Sequence, residues 1–252
     1  MNDAIKQDAW VLHGNEGELC CNTLAGQINT ARPHEGLHNL RLSGVPWPVV
    51  LLSAYPEAEI ECWPSPLGEA YVRGEDLVAT YQATTNWPFS PQLYWRANSL
   101  ESPGGVMASL SLLVSIQTQL LDTYPRIRVT SHVACGEVLL LTSCNGARPC
   151  AESIDRPRTV SPSGETCCIL LRLKEWPLTY VEMVPSSDFR QAKLQRDNDG
   201  VSTEWSLFAD FLEKGVIRRA RVHAALLARE NDVDLAMACC EAARRLELPL
   251  TT

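Results

Sequence analysis

The residues with the most distinctive chemical spacing are His34, Glu35 and His38, which match the pattern H-E-x-x-H. That pattern binds zinc when a helix places the two histidines one turn apart and holds the glutamate beside a metal-bound water. Here Pro33 precedes the pattern and Gly36 lies inside it, so a helix is disfavoured. We therefore expect an ordinary turn at this segment, and we expect the chain to hold neither a metal nor a cofactor.

A second group of candidate residues is aromatic and basic and lies between positions 71 and 96. Aromatic planes with arginine and carboxylate nearby suit a sugar or another planar or polyhydroxyl ligand. The same residues have a commoner alternative role, in which Trp and Tyr fill the core of a β sandwich and clamp its Trp-Pro loops. The candidate ligand-binding residues in this group are Arg73, Trp87, Tyr94, Trp95 and Arg96.

Other catalytic patterns are missing from the sequence. It contains no phosphate-binding, dinucleotide-binding or nucleophile-elbow motif. His132 and His223 lie within apparent secondary-structure elements and are candidates for a site, although a lone histidine is more often structural. The catalytic residues, if there are any, stay unassigned from the sequence.

Composition limits the classes of partner. The chain has 252 residues, 45% of them hydrophobic and 21% charged, as expected for a folded globular protein. Its net charge of -8 disfavours nucleic acid and anionic membranes, which bind basic surfaces. The first residues lack a signal-peptide core, and no apolar run approaches the roughly 18 residues that span a bilayer. We therefore expect a cytoplasmic, soluble protein whose partner is a carbohydrate or another protein.

Ten cysteines are many for a chain of this kind, and six of them form three adjacent pairs. No C-x-x-C spacing occurs, so a zinc site built from cysteines is disfavoured. We expect small buried thiols in a reducing compartment. Whether Cys144 and Cys150 pair across the turn between them is left open.

The longest patterned stretch is Val106 to Leu121, and it organises the predicted fold. Apolar residues dominate one alternate set, and hydroxyl and amide residues dominate the other. This period of two indicates a strand with one face buried, whereas Leu110, Leu113 and Val114 would also suit a helical face. Repeated serine beside β-branched residues favours the strand.

The rest of the chain offers many short strand candidates and then a helical tail. A short helix is expected to start at Thr203 and run through Phe208 to Leu212. Residues 216–228 fit a strand or a helix equally, and Asn231 or Asp232 caps a final helix. Strands and helices do not alternate along the sequence, so a parallel sheet is not expected. The fold class is therefore mainly β, a large antiparallel β sandwich with a C-terminal helix. We expect one domain over residues 1–252, with 203–252 as its partly helical end.

Two functions follow from these observations. The first is a non-catalytic binding or interaction protein, with carbohydrate as a candidate ligand. The alternative is a sugar-active enzyme that uses a carboxylate pair or His132 on a sheet face, and this alternative requires an open face on which such groups converge.

Overall fold

The computed structural model describes residues 9–21, 23–56, 63–98, 104–142, 150–163, 166–208 and 210–246. Its strands in chain order are β1 (Trp10–His13), β2 (Glu16–Cys21), β3 (Leu24–Asn29), β4 (His38–Leu42), β5 (Val45–Pro46), β6 (Val50–Pro56), β7 (Leu67–Arg73), β8 (Asp76–Tyr81), β9 (Phe89–Ala97), β10 (Val106–Thr118), β11 (Arg126–Val133), β12 (Cys135–Thr142), β13 (Cys150–Ser153), β14 (Arg158–Val160), β15 (Thr166–Leu173), β16 (Leu178–Pro185), β17 (Phe189–Arg196), β18 (Val201–Phe208) and β19 (Arg218–Ala228). A 3-10 turn covers Pro33–Glu35, and one helix, α1, covers Asp232–Arg245.

The strands form three antiparallel sheets. Strands β1 to β5 form an N-terminal sheet in sequential order. The large sheet has nine strands in the order β13-β12-β15-β16-β19-β10-β9-β8-β7, and the third sheet has the order β14-β17-β18-β11-β6. One apolar cluster joins buried residues of all three sheets, so the large sheet packs its inner face against the other two. This is a β sandwich, and the predicted fold class is confirmed.

The predicted central strand is confirmed as β10, which pairs with β9 on one side and β19 on the other. Leu112 and Val114 point into the main core and are fully buried. The middle of the opposite set is also buried, because a second layer covers that part of the outer face: Ser111 and Ser115 are 4% and 5% exposed, whereas Met107 at the start of the strand is 36% exposed. Serine in this strand therefore marks a buried polar layer rather than a solvated face.

Helix α1 supplies part of that second layer. Its buried face includes Ala236, Cys239 and Cys240, which pack against Cys168 and Met183 of the large sheet. The predicted final helix is confirmed. The predicted helix from Thr203 is wrong, because that segment lies in β18.

The error at β18 has a simple physical reason. Val201, Thr203, Trp205 and Leu207 alternate with Ser202, Glu204 and Ser206, which is the period of a strand with one buried face.

The open question at 216–228 is settled by β19, a central strand of the large sheet. The division into one domain stays a prediction. Within the described ranges, no helix is both long enough and apolar enough to span a membrane.

Candidate functional site

An open groove lies where the outer face of the third sheet meets the N-terminal sheet. It consists of two adjoining cavities of about 850 and 600 Å³ that share His38, Val50 and His132. Three of the five histidines of the chain line it. We call it the histidine groove, and the lining residues on which the argument depends are His34, Glu35, His38, Trp47, Tyr55 and His132.

His34 and His38 reach the groove from a turn that is fixed against β6. As the sequence predicts, the H-E-x-x-H segment does not form an α-helix; it consists of a single 3-10 turn followed by a strand. Gly36 has φ +64°, and a Cβ atom there would lie 2.3 Å from the Ser53 hydroxyl oxygen. Only glycine fits this close approach to β6. The turn can therefore present both histidines to one cavity.

A bulge in β6 provides the attachment point for that turn. Leu51 and Leu52 together oppose Ser131 of β11, since the register shifts between Thr130 and His132. Leu51 is thereby free to exchange two backbone hydrogen bonds with Leu37, at 2.7 and 3.0 Å. Bulges of this kind often lie beside functional sites, where they redirect side chains.

The backbone partners of His34 and His38 select a different tautomer of the neutral form for each ring. The Trp63 N–H donates to Nδ1 of His34 at 3.3 Å, so the ring proton of His34 lies on Nε2. Nδ1 of His38 lies 3.1 Å from the Gly36 carbonyl oxygen, which can only accept. The ring proton of His38 therefore lies on Nδ1, and its Nε2 keeps a lone pair. His34 is a hydrogen-bond donor at Nε2, and His38 is a potential base.

His132 comes from the neighbouring strand β11 and has an acidic neighbour. Its Nδ1 lies 3.0 Å from the Ser202 hydroxyl oxygen and 3.8 Å from Oδ2 of Asp197. Backbone N–H groups of Gly200 and Asp199 donate to Asp197 and, with His132, lower the pKa of its carboxyl group. The Asp197 carboxylate therefore places a negative charge beside the His132 imidazole.

A buried carboxylate beneath the groove holds the bulge in place. Glu182 is 1% exposed and accepts four hydrogen bonds at 2.5 to 2.8 Å. One donor is the Ser131 hydroxyl, whose oxygen also accepts the Leu52 N–H at 3.0 Å. Leu52 has φ +54°, an uncommon conformation for a bulky residue that its surroundings must hold. The other donors are the side chains of Tyr180, Thr203 and Trp205.

Beyond Tyr55, charged side chains on the outer face of the third sheet are tied into a network. Glu204 pairs with Lys193 at 2.9 Å and with Arg128 at 3.4 Å. The Arg128 guanidinium lies 5.8 Å from the centre of the Tyr55 ring, and the His34 ring centre lies 6.1 Å from the Tyr55 ring centre. Burial raises the pKa of the Tyr55 hydroxyl, although Arg128 opposes the shift, so Tyr55 stays a neutral hydrogen-bonding group.

The structure does not bring the predicted aromatic and arginine residues to one open face. Trp87 and Trp95 are 6% and 1% exposed and pack in the main core. Tyr94 is buried on the opposite face of the large sheet with Leu113. Arg96 forms a bidentate pair with Asp76 at 2.6 and 2.7 Å, and Arg73 lies 3.9 Å from the same carboxylate. Ligand binding by these five residues stays a prediction, and the histidine groove is a separate site.

His223 also lies away from the groove. It is 1% exposed, and neither ring nitrogen has a hydrogen-bond partner. Burial, assisted by Arg221, lowers its pKa to about 3, so the ring is neutral at physiological pH. Within the described residues no three His, Cys, Asp or Glu side chains are placed to hold one metal ion.

Seven of the cysteines are free thiols, six of them buried. Burial raises the pKa of Cys167 and of Cys239 to about 12, which makes both thiols weak nucleophiles. Cys144 lies outside the described residues, so whether it pairs with Cys150 stays open.

Comparison with known proteins gives a likeness of fold. No known protein family matches the chain, and no curated protein is significantly similar to it. The fold is similar to that of a protein from Klebsiella pneumoniae subsp. pneumoniae MGH 78578 described as a "putative aldose 1-epimerase". The identity is 10%, the TM-score is 0.57, and the match covers 92% of this chain and 86% of that one.

Two further structures match less well. One is a GH36 alpha-galactosidase from Geobacillus stearothermophilus, with 7% identity, a TM-score of 0.47 and coverage of 87% of this chain and 41% of that one. The other is a TPR-domain containing protein from Parabacteroides distasonis ATCC 8503, with 10% identity, a TM-score of 0.47 and coverage of 94% and 49%.

Proposed function

We propose that the histidine groove binds a small polyhydroxyl ligand of the monosaccharide class and transfers protons on it. The observation that carries the proposal is the pair His38 and His132, which line both cavities and differ in their electrostatic surroundings. Acid–base catalysis needs one group that accepts a proton and another that donates one, both within reach of the same ligand. Glu18 and Glu35 line different cavities, so the histidines suit this work better than a carboxylate pair.

The two histidines take opposite roles in this proposal. His38 is the base, because its Nε2 keeps a lone pair while Nδ1 is directed at the Gly36 carbonyl. His132 is the acid, because the Asp197 carboxylate lies 3.8 Å from its Nδ1 and holds a negative charge beside the ring. His34 donates a hydrogen bond from Nε2 and orients the ligand.

The simplest reaction that this arrangement can perform is exchange between the two anomers of a cyclic sugar. His38 removes the proton of the anomeric hydroxyl, the bond between the anomeric carbon and the ring oxygen breaks, and His132 protonates that ring oxygen. The product is the open-chain aldehyde. The reverse steps on the other face of the carbonyl close the ring as the second anomer and return both protons. The fold likeness to a protein described as a "putative aldose 1-epimerase" supports this choice of reaction.

Exchange between anomers can be measured directly by proton NMR, starting from single anomers of several hexoses, pentoses and sugar acids in weakly buffered solution. The expected result is a rate above that of buffer for at least one sugar. His38→Gln and His132→Gln should each lower the catalysed rate by about 100-fold to 10,000-fold. His13→Gln is the matched control, because His13 is exposed at the end of β1 and does not line the groove. Equal rates for the wild type and both groove variants would contradict the assigned roles.

The groove also supports a second candidate function, which is binding without reaction. Next to the groove residue Tyr55, the paired charges of Arg128, Glu204 and Lys193 form an array of donors and acceptors, and such arrays recognise hydroxyl groups. Calorimetric titration of the same sugars separates the two functions. Binding that is lost in His38→Gln, without faster exchange in the wild type, would favour the binding protein over the enzyme.

A further inference from the structure

A patch of exposed apolar side chains lies at the end of the sandwich where β10 ends and β19 begins. Six of the ten large apolar residues that are exposed in the described part of the chain belong to it. Their exposed fractions range from 42% to 76%. We call it the end patch, and its apolar members are Leu120, Leu121, Tyr124, Phe211, Val216 and Ile217.

The backbone brings these residues together from two connecting segments, 119–125 and 210–217. The Leu212 N–H donates to the Thr123 carbonyl oxygen at 2.8 Å, and the Thr123 hydroxyl donates to the Leu212 carbonyl oxygen at 2.8 Å. The rings of Tyr124 and Phe211 lie 5.8 Å apart between centres. Ile116 of β10 opposes Arg218 of β19, so the residues just beyond these two positions lie at the same end. The apolar side chains are therefore one surface and not scattered exposures.

Six large apolar side chains exposed at one end of the molecule require an explanation. Monomeric proteins rarely expose contiguous apolar patches larger than a few hundred Å², and larger ones commonly mark protein interfaces. Tyrosine and phenylalanine are also enriched at interface centres. Here the aromatic pair and Leu121, the most exposed of the six at 76%, lie on segments whose backbone is fixed by the Thr123–Leu212 bonds. A preorganised apolar surface loses little conformational entropy on association.

The charges of the patch indicate what covers it. Glu213 and Lys214 are adjacent and exposed, and neither forms an ion pair within the ranges that the structure describes. Asp122 adds a further exposed acid, whereas Arg218 forms an ion pair with Asp210 at 3.7 Å. A patch that carries both signs beside its apolar centre is self-complementary, because a two-fold axis brings the acid of each copy to the base of the other. Acids at the rim also disfavour an anionic membrane surface.

We propose that the end patch is the interface of a homodimer, in which the same patch of a second copy covers it. The two segments contain about 15 residues, fewer than the 20 to 30 residues a side of a standard interface. The dimer is therefore expected to be concentration-dependent, with dissociation in the micromolar range. Glu213 of each copy meets Lys214 of the other.

Sedimentation velocity from about 1 to 200 µM tests this proposal, since that range brackets a micromolar dissociation constant. The wild type should shift from monomer to dimer. Leu121→Lys should weaken the dimer by about tenfold or more, because each copy loses its leucine contacts and brings an unpaired lysine to the interface. Val11→Lys is the matched control, because Val11 is 45% exposed on β1 and outside the patch.

A charge exchange distinguishes a second copy from any other partner. Glu213→Lys alone should weaken the dimer, and the double change Glu213→Lys with Lys214→Glu should restore it. Both positions are exposed, so these variants leave the fold unchanged. A wild type that stays monomeric at about 200 µM, or a dimer that Leu121→Lys leaves intact, would overturn the proposal.

Discussion

Replacing Glu182 by glutamine is expected to lower the free energy of unfolding by about 2 to 6 kcal/mol, although the change alters a single atom. Each oxygen of the Glu182 carboxylate accepts two hydrogen bonds. Glutamine replaces one of these oxygens with an NH₂ group, which is itself a donor. Two buried donors then lose their acceptor, and each unsatisfied group costs about 1 to 3 kcal/mol.

The effect is expected to be large because Glu182 joins two sheets. It lies on β16 of the large sheet, whereas Ser131, Thr203 and Trp205 lie on β11 and β18 of the third sheet. Urea denaturation of the wild type and Glu182→Gln measures the cost. Glu204→Gln is the matched control, because Glu204 faces outward on β18 and pairs with Lys193 and Arg128 in a partly exposed network. The control should cost about 1 kcal/mol or less, and an equal loss in both variants would contradict this account.

Replacing Asp232 by asparagine is expected to cost about 3 kcal/mol, with a distinctive dependence on pH. Asp232 begins α1 and is 2% exposed. Arg172 donates two hydrogen bonds to it at 2.8 and 2.9 Å, and Thr179 donates a third at 2.7 Å. Breaking a buried ion pair costs about 3 to 5 kcal/mol of stability. We expect the low end of that range here, because the Arg172 side chain is 25% exposed and keeps Glu137 as a partner.

The pH dependence follows from the direction of the pKa shift. Burial alone would raise the pKa of Asp232, but hydrogen bonds from Arg172 and Thr179 outweigh it and lower the pKa below its usual value. A lowered pKa in the folded state contributes stability above the unfolded value of about 3.9, and this stability is lost as the pH falls through the folded value. The difference in the free energy of unfolding between the wild type and Asp232→Asn should therefore be largest at neutral pH, about pH 7, and should shrink below about pH 4.

The same arginine provides the control for Asp232. Glu137 accepts a hydrogen bond from Arg172 at 2.9 Å, but its side chain is 46% exposed. Glu137→Gln should change the free energy of unfolding by about 1 kcal/mol or less. The free energy of unfolding of the wild type and of Asp232→Asn should be compared at neutral and at acidic pH. If the difference between them is the same at both, the Asp232 charge does not hold α1 to the sheet.

The sequence predicts the central strand well because strand periodicity is a local signal. Alternation over Val106 to Leu121 identifies β10 and the face that enters the main core. It does not reveal that the serine face is also buried, because that depends on a helix more than 100 residues later and on Arg96 and Arg221 of the neighbouring strands. From the sequence alone, the serine hydroxyl groups of this strand are expected to face solvent, whereas in the structure they lie beneath a second layer.

The aromatic cluster shows where composition misleads and periodicity corrects it. Tyr94, Trp95 and Arg96 are adjacent on β9, so consecutive side chains point to opposite faces. Trp95 enters the main core, whereas Tyr94 and Arg96 lie on the outer face with Asp76. The alternation rule alone is sufficient to separate Trp95 from Tyr94 and Arg96, because it needs only their positions along one strand.

The histidine groove could be predicted only in part. His132 is recognisable as a histidine on a strand, but its proximity to His38 depends on a contact between segments almost 100 residues apart. His34 and His38 belong to a pattern whose helical reading is wrong, and their turn needs Gly36 against Ser53 of β6. Sequence spacing excludes the zinc helix, but only the tertiary fold shows that the same residues face a cavity.

Long-range proton–nitrogen NMR of the imidazole rings, with and without a monosaccharide, tests the central claim most directly. The chain has five histidines, so each ring can be assigned by substitution. The free protein should show His38 protonated at Nδ1 and His34 at Nε2. A ligand should shift the signals of these two rings and of His132, and leave those of exposed His13 and buried His223 unchanged. Signals that shift only at His13 or His223, or at no histidine for any sugar tested, would contradict the groove as the binding site.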